Sequence, residues 1–224
     1  MMKNAITRTL GSLFLLASLS AAPAYAEGTA NVGVASDYLW RGVSQTDGKP
    51  SIFGGLDYAS DVGIYVGTWV SNIDFGDDAT YEWDLYAGYS GEAGDFSYDV
   101  GYVYYAYPNG DSLDFGEVYA GFGWNWFGFS LAYTTNEEAD ETYFDKGLYI
   151  EGTAEWGITD SLSLGFAVGN YFFDSDSLLE DYLNYNISLN KSTEMGDFAF
   201  MISDTDESDV DPVVLVSWTL GFDL

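Results

Sequence analysis

The sequence predicts an all-β protein: a transmembrane, antiparallel, up-and-down β-barrel of about twelve strands, apolar outside and wet inside. Three observations point there. Apolar and polar residues alternate with a period of two along most of the chain, a secretory-type leader precedes the alternation, and the acids inside predicted strands fall opposite the apolar face. Residues 81–90 set the pattern: Tyr81, Trp83, Leu85, Ala87 and Tyr89 alternate with Glu82, Asp84, Tyr86, Gly88 and Ser90. Successive side chains of a strand project to opposite faces, so this period writes one apolar and one polar surface.

The leader carries Lys3 and Arg8, an apolar stretch over 10–19 and the small-x-small site Ala24-Tyr25-Ala26. It predicts a cleaved signal over 1–26 and one mature domain over 27–224. No other apolar run approaches the roughly 18–20 residues that a membrane helix needs. The high aromatic content and the 26 glycines suit strands bearing aromatic belts. The chain has no Cys. A closed barrel draws its stability from an unbroken hydrogen-bonded ladder instead.

Strands are predicted over 30–42, 51–59, 64–71, 81–90, 96–107, 115–124, 127–135, 147–156, 162–173, 182–190, 198–203 and 212–224. Most match the roughly 9–11 residues of a tilted barrel strand. The connections alternate in length. Short turns fall at 60–63, 91–95, 125–126, 157–161 and 191–197; longer, more acidic loops fall at 43–49, 72–80, 108–114, 136–146, 174–181 and 204–211. Outer-membrane barrels carry short periplasmic turns and longer external loops, which puts both termini in the periplasm. In the last strand Val216, Trp218, Leu220, Phe222 and Leu224 share a face. Outer-membrane proteins commonly end in such a strand, read by the barrel-assembly machinery; the usual final residue is Phe, and here it is Leu224. A soluble β-sandwich would alternate as well and is the structural alternative.

Acidic residues number 36 against 6 basic ones, for a net charge of −30. That balance excludes nucleic acid as a partner, because phosphate binding needs clustered bases. Asp37, Asp57, Glu82, Asp84, Asp99, Glu117, Glu151 and Glu155 all take the inward parity of their strands. Arg41 takes it too, near the external mouth and at the height of Glu82, Asp84 and Glu117. It is expected to form a structural ion pair, to shape the constriction, or both. Tyr86, Tyr105, Tyr107, Tyr119 and Tyr149 point inward, and inward Gly33, Gly88, Gly101, Gly121, Gly165 and Gly169 make room in a narrow lumen. Lys191 follows the lipid-facing parity and is expected to reach the periplasmic rim.

There is no His and no Cys. This removes Ser-His catalysis and makes a thiol or zinc site improbable. The pair Glu82/Asp84 has the chemistry for acid–base work, but an acidic pore lining accounts for the same residues. No enzyme and no cofactor are expected. The stretch 204–211 is rich in hard oxygen ligands but lacks the spacing and Gly of an EF-hand. It reads as a solvated loop, suited to non-specific divalent bridging to lipopolysaccharide.

Four strings resemble a known family: S-D-Y-L-W-R-G-V-S-Q-T-D-G-K-P (36–50), Y-V-G-T-W-V-S-N-I-D-F (65–75), E-W-D-L-Y-A-G-Y (82–89) and Y-A-Y-P-N-G (105–110). They are similar to the TorF family of outer-membrane porins, most densely over 32–110. The resemblance implies a barrel and a channel in the outer membrane, without a catalytic site. Joined to the charge pattern, it predicts a passive, cation-preferring pore for small solutes. Its lining would be Asp37, Arg41, Asp57, Glu82, Asp84, Asp99, Glu117, Tyr119, Glu151 and Glu155. The alternative is a plugged structural or surface-interaction barrel, its lumen filled by inward Tyr and its acidic loops binding cations.

Overall fold

A computed structural model describes residues 27–139, 143–208 and 210–224. The predicted signal at 1–26 lies outside the described residues. In chain order the strands are β1 (Glu27–Ala35), β2 (Leu39–Trp40), β3 (Val43–Ser44), β4 (Ser51–Ala59), β5 (Ile64–Asn72), β6 (Tyr81–Ala93), β7 (Phe96–Ala106), β8 (Phe115–Trp124), β9 (Phe127–Glu137), β10 (Leu148–Thr159), β11 (Leu162–Phe172), β12 (Tyr182–Thr193), β13 (Gly196–Thr205) and β14 (Val213–Asp223). All but β2 and β3 form one closed antiparallel barrel in which chain neighbours pair. The seam joins the ends of the chain: β1 pairs with β14 from Thr29↔Asp223 to Ala35↔Ser217, and with β4 from Glu27↔Ala59 to Ala35↔Ser51.

The predicted strands 51–59 and 115–124 appear with the same ends. Others run longer, because the turns at 94–95, 125–126, 160–161 and 194–195 are only two residues long and the ladder continues up to them.

The period of two sorts the side chains as read from the sequence. Val34, Ile52, Leu56, Val66, Leu85, Val100, Val168 and Val214 are exposed on the outside, while Glu82, Asp84 and Glu117 are at most 1% exposed inside. Outer aromatics gather near the two ends of the wall. Trp124, Trp126, Phe127 and Trp156 flank the short turns, and Trp83, Tyr133, Phe172 and Tyr185 flank the loops. The inward glycines have a shared task. A Cβ on Gly67 would meet the ring of Tyr86, one on Gly88 that of Tyr65, and one on Gly101 that of Tyr119, each nearer than van der Waals contact allows. Each tyrosine lies flat across the directly paired glycine of the next strand. That lets large rings cover a wall of tight curvature.

The first predicted strand needs correction. Its wall portion stops at Ala35, and Ser36 closes it by exchanging hydrogen bonds with Val216 (Ser36 N to Val216 O 2.9 Å; Val216 N to Ser36 Oγ 3.0 Å). The chain then turns into the lumen. Residues 39–44 form a small hairpin with Leu39↔Ser44 and Trp40↔Val43 paired. Arg41 and Gly42 make its two-residue turn, at φ 51° and 87°. Positive φ at both central positions is the signature of a type I′ hairpin, whose twist matches that of its strands. Asp37 and Arg41 therefore sit on an inward-folded loop rather than on the wall. Tyr38, Leu39 and Arg41 are all buried, although strict alternation would have sent Tyr38 to the outer face.

Gly42 fixes where the hairpin tip rests. A Cβ there would lie 2.8 Å from Asn184 Cβ and 2.9 Å from Thr205 Cγ2, on β12 and β13. Gly48 also has positive φ (68°), but nothing lies within 4 Å of its Cβ position. A left-handed non-Gly residue costs about 1–2 kcal/mol by itself. Gly48→Ala should show that cost alone, and Gly42→Ala a larger one. Equal losses in urea unfolding from lipid vesicles would mean that the tip does not abut β12 and β13.

Candidate functional site

The loop hairpin is braced at its base by its own polar residues. Asp37 Oδ1 accepts from Ser44 Oγ and Thr46 Oγ1, both at 2.7 Å, and Gln45 N donates to Tyr38 O at 2.7 Å. Outside the barrel mouth, Lys49 Nζ donates to Asp74 Oδ2 at 2.6 Å, and Asp74 N to Gln45 O at 2.8 Å. The Lys49 ammonium holds the Asp74 carboxyl below its usual range. These contacts tie the first long loop to the second.

Inside, the hairpin reaches three parts of the wall. Tyr38 donates from its hydroxyl to Glu82 Oε1 at 2.6 Å, and Tyr107 to Glu82 Oε2 at 2.7 Å. Arg41 grips Glu117 on β8 with both terminal nitrogens, Nη1 to Oε1 at 2.8 Å and Nη2 to Oε2 at 2.6 Å. Gly42 meets Asn184 and Thr205 opposite. A fork-on-fork contact of this kind fixes direction as well as distance. The guanidinium carbon also lies 4.3 Å from the Trp40 ring centre, 4.4 Å from Tyr149 and 4.7 Å from Tyr171. A cation over a ring face is attracted by the ring quadrupole. Beside Glu117 the register slips: Gly116 pairs with Asn136 but Glu117 with Thr134, leaving Thr135 as an extra residue. Such a bulge re-aims neighbouring side chains, and here Thr134 Oγ1 comes to 3.4 Å from Glu117 Oε1.

The other expected positions divide by height. Glu151 lies beside the arginine, its Oε2 3.1 Å from the Tyr149 hydroxyl. Asp84 is fully buried at the level of Glu82, and among the described residues neither of its carboxylate oxygens has a hydrogen-bond partner. Asp57, Asp99, Tyr119 and Glu155 lie nearer the short turns. There Tyr65 donates to Asp99 Oδ1 at 2.6 Å and touches the Tyr119 hydroxyl, and Tyr86 donates to Asp57. This lower half is more open: Thr153 is exposed, and Asp57, Glu155, Asn186 and Ser188 are partly so. Among the described residues no group of three or more carboxylates converges as metal ligands would.

Several residues that shape the site are not singled out by the sequence. Tyr38 and Trp40 are hidden by the alternation that continues through them. Trp40 packs edge-on against Tyr105, Phe115, Phe144 and Tyr171, with ring centres 5.7–6.2 Å apart. Tyr171 carries the inward parity of Gly165 and Gly169 and is legible on that ground. Leu39 packs into a separate cluster with Met201 and Leu215.

The buried pair gives a direct prediction. Arg41→Ala leaves Glu117 charged, desolvated and unmatched, and should cost about 3–5 kcal/mol. Arg41→Met with Glu117→Leu should recover most of that loss. A double-mutant cycle in urea checks this, and additive losses would show that the two side chains do not form a unit.

Comparison with known proteins adds the lineage. No curated protein matches the chain in sequence. Among solved structures, a KdgM porin is similar with a TM-score of 0.59 at 10% identity, over 87% of this chain and 98% of that one. A KdgM porin in complex with disordered oligogalacturonate is also similar (TM-score 0.55, 10% identity, 88% and 97%). So is a NanC porin (0.52, 11%, 87% and 97%). An outer membrane channel from Pseudomonas putida F1 has a TM-score of 0.52 at 9% identity, over 88% and 96% of the two chains. At such identities the likeness is one of fold. A family model described as "Bacterial protein of unknown function (Gcw_chp)" matches residues 20–215, and the chain belongs to that family.

Proposed function

We propose that this chain is an outer-membrane channel for passive diffusion of small solutes, preferring cations, with the folded-in hairpin as its constriction. The observation that carries the reading is the charge of the lumen. Asp57, Glu82, Asp84, Asp99, Glu117, Glu151 and Glu155 point into it, and the arginine that enters is engaged bidentately by Glu117. A low-dielectric wall confines the field of those carboxylates and concentrates counter-ions. Rings of acids favour cations and disfavour anions. The pore lining in this reading is the acids just named with Asp37, Arg41 and Tyr119.

The exterior supports the membrane part of the reading. An aliphatic band between aromatic belts, on a barrel with no free edge, is what a bilayer accepts. Both termini would then face the periplasm, and the acidic loops would face outward, where divalent cations bridge them to lipopolysaccharide. The four motif strings similar to TorF porins agree with this, as do the porin-like folds. A polyanionic cargo such as the oligogalacturonate of the KdgM complex does not suit a wall of carboxylates. With no His or Cys in the chain, no enzymatic role is read. The second reading, a plugged barrel of structural or surface role, draws on the hairpin itself, since it touches walls on opposite sides of the lumen.

Current decides between them. In planar bilayers the proposal expects a cation-selective reversal potential across a KCl gradient, shrinking as rising ionic strength screens the lumen. Neutralising Asp57 and Glu155 together should weaken the selectivity. An anion-selective current would overturn the charge argument, and a silent protein would favour the plug. Lipid exposure has its own check. Leu85→Arg should lower stability in vesicles by up to about 2–4 kcal/mol. Ser90→Arg, which points into the lumen, should cost less, and equal losses would point to a soluble barrel.

A further inference from the structure

Arg41 is held as a bound ligand is held. It stands on the two-residue tip of a short hairpin. Apart from Trp40, the groups around it belong to the wall: Glu117 on β8, Tyr149 on β10 and Tyr171 on β11. Glu117 offers both oxygens to two nitrogens of one planar group, in a pair of directed N–H bonds that a metal ion has no N–H to form. Tyr149 and Tyr171 present ring faces to the same carbon. The Tyr149 hydroxyl is itself positioned, 3.0 Å from Asn184 Oδ1. Each of these wall residues lies on a strand paired on both sides, so its backbone is held independently of the tip.

We infer that this cradle is a binding site for planar cations bearing a guanidinium or amidinium group, filled at rest by the chain's own Arg41. The inference rests on the channel reading only for the route by which such solutes reach the lumen; the binding itself needs only the fold. A short flexible tether gives its tip an effective concentration of roughly millimolar order, and a hairpin braced at its base sets that level as a floor. A free solute therefore competes at about that level or above, and each binding event leaves the tip displaced. The base of the hairpin, pinned by Asp37 and by Tyr38 on Glu82, stays in place, so only the Arg41-Gly42 turn has to move.

The chain has no Cys, so Val43→Cys creates a single thiol beside the tip. With the folded protein in vesicles, the rate of maleimide labelling is measured in guanidinium chloride, in KCl of equal ionic strength and in urea. A several-fold rise in guanidinium alone is expected, with no further response once Glu117→Gln is added. A second measurement uses Arg41→Ala, in which the cradle is vacated. With no arginine left to compete, guanidinium at about the millimolar level expected of a short tether or above should restore part of the melting temperature lost, KCl should not, and Arg41→Ala/Glu117→Gln should not respond. A labelling rate that ignores guanidinium, or follows KCl or urea equally, overturns the inference even if Arg41→Ala fails to fold. A protein that carries no current still gives both readouts. A cation-selective current with no guanidinium response refutes this site and leaves the channel reading intact.

Discussion

Because β1 pairs with β14 as well as with β4, every wall strand has two neighbours and every wall side chain has only two directions. The rest of the molecule depends on that constraint. No backbone edge is left for water or for another chain to satisfy. The apolar half of each strand must face outward together, and the polar half must share a narrow interior. An interior so confined has to reconcile many tyrosines with tight curvature, and it does so by setting inward glycines beneath them. It also has to hold several carboxylates close to one another, and it receives a single arginine among them.

The Arg41–Glu117 pair should not be credited with much net stability. Two charges withdrawn from water lose hydration that their mutual attraction only roughly repays. What the pair supplies is position. A planar fork on a carboxylate admits one approach, and it places a hairpin of two residues per strand at one point across the lumen. Affinity for that place comes from packing. The Trp40 ring enters a cluster with Tyr105, Phe115, Phe144 and Tyr171, while Leu39 enters another with Met201 and Leu215. Residues 37–44 of the first motif string are thus the part that the lumen grips, which accounts for Asp37, Tyr38, Trp40 and Gly42 within it.

The barrel was legible because a period of two is a direct imprint of a pleated wall. Leu85 and Glu82 reveal their faces by parity alone, and the alternation of short and long connections comes with the strand pattern. The loop hairpin was not legible by the same rule. Asp37, Leu39 and Arg41 continue the odd parity of Gly33 and Ala35, because β2 is itself extended and obeys the same period. Periodicity cannot tell a strand that stays in the wall from one that leaves it. Arg41-Gly42 is not one of the dipeptides that mark a tight turn in a sequence, and the left-handed geometry of both residues shows only in the fold. Parity placed Arg41 inside, and only the fold could show that it arrives there from a loop. Asp84 presents the opposite case, placed correctly by parity but with a carboxylate that has no hydrogen-bond partner among the described residues, which no one-dimensional pattern displays.

The seam between β1 and β14 imposes an order of events on the nascent chain. The hairpin lies between the first two wall strands, yet its anchors lie on β6, β8, β12 and β13. Those anchors are separated from Arg41 by up to most of the chain, so the contacts are of high sequence separation, the kind that carries a large loop-closure cost. When the first hairpin of the barrel is made, its inner loop has nothing to grip. Its bonds to Glu82 and Glu117 need β6 and β8, and its contact with Asn184 and Thr205 needs β12 and β13 in place. Seating of residues 36–50 and sealing of the ends of the chain are thus coupled steps. A barrel held open at its seam would lose the bonds between Ser36 and Val216 that mark where the loop leaves the wall.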